Sequence, residues 1–177
     1  NVAKDAGAAY VFKLEDDRWV QTQKLTAGDA DANDRFGRVI ALDRGRLFIG
    51  ARIDDGAAPD AGAVYVFELE GNEWSQTQKL TAANARKGDR FGGALAVGGD
   101  RALIGAGRDD EVAEDGGAVY AFAFIDGEWR QTQKLTPEGA APGTRFGSAV
   151  ALDRDTAFIG AEHDSEHGSD AGAVYVF

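Results

Sequence analysis

Apolar and polar residues alternate along the chain in short runs bounded by glycine, aspartate or asparagine, and these runs follow three patterns. In Ala63-Val64-Tyr65-Val66-Phe67 every position is apolar, as in a strand covered on both faces. Residues 36–42 and 46–51 are also apolar but open on Phe36-Gly37 and close on Ile49-Gly50-Ala51, so the backbone there can approach a neighbour closely. Residues 74–81 alternate: Trp74, Gln76, Gln78 and Leu80 fall on one face, and Ser75, Thr77, Lys79 and Thr81 on the other. Four strands are therefore predicted, at 36–42, 46–51, 62–67 and 74–81. The first pair is joined by Asp43-Arg44-Gly45, the second by a ten-residue acidic loop and the third by Glu70-Gly71-Asn72.

The whole pattern repeats with a period of 55 residues. Tyr10, Tyr65, Tyr120 and Tyr175 keep this step, as do Trp19, Trp74 and Trp129, and Phe36, Phe91 and Phe146. Ile-Gly-Ala recurs at 49–51, 104–106 and 159–161. Four antiparallel strands in one such period make a blade of a β-propeller. The small first strand (Gly37; Gly92-Gly93-Ala94; Gly147-Ser148-Ala149) suits the crowded innermost position, and the polar, lysine-bearing fourth suits the outer edge. The chain divides into a partial blade at 1–34 (strands three and four), blades at 35–89 and 90–144, and a partial blade at 145–177 (strands one to three). It thus forms an open arc of a larger ring, completed by the rest of a longer chain or by association with a second copy.

The Phe-Gly opening, the Ile-Gly-Ala end of the second strand and the GAVYVF third strand resemble the FG-GAP repeats of integrin α-subunits. The resemblance covers essentially the whole chain. It implies propellers, commonly seven-bladed, that serve in adhesion or ligand binding at the cell surface. Integrin-type repeats often carry an Asp-x-Asp-x-Asp-Gly calcium loop between first and second strands. Here those links are Asp43-Arg44-Gly45, Gly98-Gly99-Asp100 and Asp153-Arg154-Asp155, too short to surround a calcium ion, so that site is not carried over.

Composition narrows the partners. Asp and Glu outnumber Lys and Arg 30 to 19, a net charge of -11, which argues against a phosphate-neutralising nucleic-acid surface and for cationic or basic partners. Scarce lysine beside abundant acid fits a salt-rich, halophilic setting. With no cysteine there are no disulfides or thiolate metal sites, and no apolar run is long enough for a membrane helix. The 24 glycines and three prolines between short apolar runs fit an all-β fold with tight turns. The start at Asn1 without any methionine reads as a mature or excised piece.

Residues present in every repeat point to a structural task, and residues that break the repeat point to a ligand. Asp54, Asp109 and Asp164, with Asp60, Asp115 and Asp170, recur in the loop between second and third strands and are expected to cap its backbone amides. Arg35, Arg90 and Arg145 precede each Phe-Gly and could tie neighbouring blades to those carboxylates. Among the irregular positions, Asp29, Asp31, Asn33 and Asp34 alternate oxygen ligands as a calcium loop begins, without its glycine or distal glutamate. His163 and His167 lie among Glu162, Asp164 and Glu166, a candidate transition-metal set. No other cofactor is indicated.

The loops from second to third strand and from fourth strand to the next blade leave on the same end of the arc, and they hold most of the acids. The expected function is a non-catalytic extracellular or cell-surface binding and scaffolding propeller that meets its partner through this acidic end. Two other classes stand beside it: a self-assembling structural repeat with no ligand, and a fragment of a propeller hydrolase or lyase. The third lacks a nucleophile with a histidine base, since the two histidines share one loop.

Overall fold

The structure, a computed structural model, describes residues 3–177. Thirteen strands and no helix form among them: β1 (Ala9–Glu15), β2 (Arg18–Leu25), β3 (Val39–Asp43), β4 (Arg46–Ala51), β5 (Ala63–Glu70), β6 (Glu73–Leu80), β7 (Ala94–Gly98), β8 (Arg101–Ala106), β9 (Ala118–Ile125), β10 (Glu128–Leu135), β11 (Phe146–Asp153), β12 (Thr156–Ala161) and β13 (Ala173–Val176). They build four antiparallel sheets, ordered β1-β2, β3-β4-β5-β6, β7-β8-β9-β10 and β11-β12-β13. The sheets do not close on one another, so the architecture is an open arc of propeller blades.

The core is divided among the blade interfaces, because each sheet is apolar on both faces. Between the two four-stranded blades lie Phe48, Val64, Val66 and Leu80 from one and Phe91, Ile104, Tyr120 and Trp129 from the other. Trp129 packs edge-on against Phe48 across that interface, with ring centroids 4.9 Å apart. A second cluster joins Leu25 of the first hairpin to Ile49 and Tyr65. A third joins Val119 to Phe146 and Ile159.

Phe-Gly and Gly-Ala are the points where blades touch through backbone. Phe91 donates its amide to Ala61 O at 2.8 Å, and Phe146 donates to Gly116 O at 3.0 Å, a parallel bridge onto the preceding blade. Gly105 faces Gly147 of the next blade so closely that a Cβ on Gly105 would overlap the Gly147 carbonyl oxygen, and Gly50 stands in the same relation to Gly92. The repeat needs glycine on the second strand because main chain, not side chain, occupies the space.

Two local expectations are corrected by the structure. In the two four-stranded blades the regular inner strand begins at Val39 and Ala94 rather than at the Phe-Gly pair, where Gly37 and Gly92 take φ of 93° and 83° but still donate to Gly50 O and Gly105 O at 3.1 Å; in the last sheet β11 does begin at Phe146. The outer strand does not alternate simply. β6 pairs Val66 with Gln78 but Phe67 with Gln76, leaving Thr77 as a bulge whose hydroxyl reaches Val66 O at 3.5 Å. Beyond the bulge the faces exchange, so Gln76 and Gln78 serve opposite neighbours. Gln76 Oε1 accepts the Gly28 amide of the preceding blade at 2.9 Å. Gln78 grips the Trp129 backbone of the following blade, donating to its carbonyl at 2.8 Å and accepting from its amide at 2.9 Å. Gln23 holds Trp74 in the same way, 2.8 Å in both directions. The QTQ segment is thus a two-way clasp between outer edges.

Candidate functional site

The loops after β4, β8 and β12, together with those entering each Phe-Gly, form one end of the arc. Three buried aspartates organise it. Asp54 Oδ1 accepts the Gly56 amide at 2.9 Å, Asp109 Oδ1 that of Glu111 at 3.0 Å, and Asp164 Oδ1 that of Glu166 at 3.0 Å. The other oxygen of each takes the hydroxyl of the repeat tyrosine: Tyr65 at 2.7 Å, Tyr120 at 2.7 Å and Tyr175 at 2.6 Å. The lysine of the outer strand completes two of these locks. Lys79 Nζ sits 2.9 Å from Asp54 and 2.7 Å from Asp29, and Lys134 Nζ sits 2.8 Å from Asp109 and 2.7 Å from Glu111.

The charges respond to this packing. Burial, then the hydrogen bonds to Asp54 and Asp29, pushes the Tyr65 phenol far above its ordinary range, and burial with Asp109 does the same to Tyr120. Tyr175 is raised to about 12 by its bond to Asp164 and by burial. Burial opposes ionisation of Asp29, yet the Lys79 and Tyr65 hydrogen bonds outweigh it and hold the carboxyl below 3.8.

Asp60, Asp115 and Asp170 stand at φ of 53°, 48° and 50°, a left-handed turn in which aspartate is one of the few tolerated side chains. The expected capping of loop amides by these side chains is corrected: Asp55 and Asp110 cap the Asp60 and Asp115 amides at 2.6 and 2.7 Å instead, and it is the carbonyls that reach the next Phe-Gly, the Arg90 amide donating to Asp60 O at 3.3 Å and the Arg145 amide to Asp115 O at 3.0 Å. Here the arginines tie blades through their main chain. The Arg145 guanidinium instead pairs with Glu162 of its own blade at 3.1 Å.

The calcium candidates are not drawn into one ligand set. Asp29 goes to Tyr65 and Lys79, Asp34 turns back to accept the Asp31 amide at 2.6 Å, and Asn33 takes φ of 75°. His163 sets Nε2 3.1 Å from Arg145 Nη1 and Nδ1 3.3 Å from Asp170, while His167 is exposed. Among the described residues no group of three or more His, Asp or Glu is arranged to hold a metal ion.

Sequence reasoning missed the inner part of this end. Toward the axis the acids give way to a recess of about 190 Å³ lined by Arg38, Arg52, Arg90, Arg108, Arg145 and Glu162 over Gly93, Gly107 and Gly147. The signal was present in the repeat: Arg38 stands where the other blades have Gly93 and Ser148, Arg52 where they have Gly107 and Glu162, and Arg108 where they have Ile53 and His163. Read one by one, these arginines look like ordinary loop charge. Only the curvature of the arc brings three blades' arginines together.

Antiparallel blade sheets, Phe-Gly bridges and repeated Asp–Tyr locks define a tandem-repeat β-propeller protein. The FG-GAP repeat family model matches residues 19–67, 74–122 and 129–177, and the chain belongs to that family. No curated protein matches the chain.

Proposed function

We propose that the chain is a non-catalytic binding and scaffolding segment of an extracellular or cell-surface propeller, in contact with its partner through the end that carries the Asp–Tyr locks. The observation that carries this reading is the division of labour among the carboxylates. Asp54, Asp109 and Asp164 are buried and spent on the fold, whereas Asp55, Asp110, Glu114 and Glu166 of the same loops are exposed. Asp55 and Asp110 each keep one oxygen on a loop amide, those of Asp60 and Asp115 at 2.6 and 2.7 Å, but their side chains stay exposed with Glu114 and Glu166, and a rigid frame that presents carboxylates outward is suited to a basic partner surface. The imidazole of His163 is engaged by Arg145 and Asp170, which supports a binding role over base catalysis. FG-GAP repeats are typical of proteins outside the cell, and the net charge of -11 suits a salt-rich medium.

A lysine-rich peptide, titrated at low ionic strength by fluorescence anisotropy, is the probe. Binding is expected, and Asp55→Asn with Glu114→Gln and Glu166→Gln should weaken it at least about tenfold with the circular dichroism unchanged. Equal binding by wild type and the triple variant overturns the reading.

The scaffolding half concerns the two end sheets. Tyr10 and Phe12 are 54% and 49% exposed, whereas their repeat equivalents Tyr65 and Phe67 are 0% and 3% exposed beneath a neighbouring blade. The other end shows Val174 at 68% and Val176 at 62%. Further blades of the same repeat fit these faces, from a longer chain or a second copy. Light scattering of the 177-residue chain is expected to give a discrete oligomer. A monomer at all accessible concentrations contradicts that association.

A further inference from the structure

The arginine-lined recess is the strongest departure from the repeat and from the composition. The chain is strongly acidic, yet five arginines and a single carboxylate face one cavity of about 190 Å³. That carboxylate, Glu162, is already paired with Arg145 at 3.1 Å. Among the described residues no carboxylate pairs with Arg38, Arg52 or Arg90, and Arg108 meets Asp115 only at 4.0 Å. Arg52 Nε is buried without a hydrogen-bond partner, a donor whose lost solvation nothing in the fold repays. Burial, and after it the nearby guanidiniums of Arg38, Arg90, Arg35 and Arg108, depresses the pKa of Arg52. Burial and Arg108 act on Arg90 in the same direction.

Such a cluster destabilises the empty fold, so its placement at three symmetry-breaking positions calls for a counter-charge. The arginines approach from three blades, so the anion must present oxygens in several directions at once. A tetrahedral oxyanion does so, whereas a carboxylate offers two oxygens in one plane. The recess, with Gly93, Gly107, Gly147 and Ser148 also in its lining, has a volume of about 190 Å³, enough for a group of that size.

We propose that this recess binds a phosphate or sulfate group, held by Arg52 and Arg108 with Arg38 and Arg90 around it. The proposal rests on the reading of this end as the contact end and names the chemistry that its inner part takes. The net charge of -11 repels anions at a distance, so affinity comes from the local contacts.

Isothermal titration calorimetry of the whole chain with inorganic phosphate, sulfate and acetate in turn tests this without any protein partner. Phosphate or sulfate should bind in the millimolar range or tighter, and acetate at least about tenfold more weakly. Whichever tetrahedral anion binds better identifies the source as phosphorylated or sulfated. Arg52→Gln should lower that affinity at least about tenfold while leaving the anion-free melting temperature equal or higher, because a buried like-charge contact is removed. Arg108→Ile, which restores the residue found in the preceding blade, should act in the same direction and covers the case in which the first variant folds poorly. No heat with either anion, or equal affinity in wild type and both variants, overturns the proposal. Loss of the lysine-peptide contact with anion binding intact would count against the outer acidic surface and leave this site standing.

Discussion

Gly105→Ala is expected to lower the stability of the arc by about 3 kcal/mol or more, because the added methyl overlaps backbone rather than a movable side chain. Gly105 lies on β8 with the Gly147 carbonyl of the next blade directly opposite and Ala94 beside it. The collision can be relieved only by separating the two sheets. Separation loosens the cluster of Leu103, Val119, Phe146 and Ile159 and the Phe146 bridge to Gly116. Gly28→Ala is the matched control, since the new Cβ meets only the Gln76 side-chain amide at an ordinary distance of 3.4 Å. Urea unfolding followed by tryptophan fluorescence should show a large fall in midpoint for the first and almost none for the second. Equal midpoints would mean that the glycine contact is not what holds the blades in register.

Blade, strand count and order were legible because a 55-residue period repeats the apolar pattern with no insertion, and the β4 bounds of Arg46–Ala51 fell where the pattern put them. The pattern failed at Thr77, since a bulge adds one residue without changing composition, and every side chain beyond it exchanges faces. It failed again at Phe36-Gly37, where the motif bridges to the preceding blade instead of starting a strand. At the candidate site, the recurrence of Asp54, Asp109 and Asp164 was visible, but their pairing with Tyr65, Tyr120 and Tyr175 was not. Tyrosine inside an apolar strand reads as core, and the phenol oxygen reaches the loop only after the strand is placed. The arginine recess was hidden for a related reason: Arg38 and Arg52 stand in one blade and Arg108 in the next, 56 residues beyond Arg52, so their convergence appears only once neighbouring blades are placed side by side.

Asp109→Ala should cost about 3–5 kcal/mol, and Asp164→Ala only about 1–2, although the two aspartates hold the same place in their blades. Both accept a tyrosine hydroxyl and a loop amide, so both variants lose those bonds. The difference is the cation. Lys134 Nζ lies 2.8 Å from Asp109, with the aspartate side chain 3% and the lysine 17% exposed, whereas among the described residues no lysine reaches Asp164. Removing Asp109 leaves a half-desolvated ammonium beside Tyr120, with Glu111 as its one remaining acid at 2.7 Å. Removing Asp164 strands the Tyr175 hydroxyl and the Glu166 amide, both uncharged, at a more open edge. If the stranded charge is the cause, Asp109→Ala with Lys134→Met should be more stable than Asp109→Ala alone, a positive coupling that urea titration can read. The pH dependence follows the same pairing. Asp164 is held below its ordinary 3.8 by Tyr175 and the Glu166 amide, so its contribution is complete above that value and is lost as pH falls further. Tyr175, raised from 10.0 to about 12, contributes fully below pH 10 and loses that contribution as pH climbs toward 12. Asp164→Ala should therefore remove stability at neutral pH and make both limbs smaller, with the alkaline loss from Tyr65 and Tyr120 and the acid loss from Asp29 remaining, while an alkaline limb no smaller than that of the wild type would show that the Tyr175–Asp164 bond contributes nothing to it.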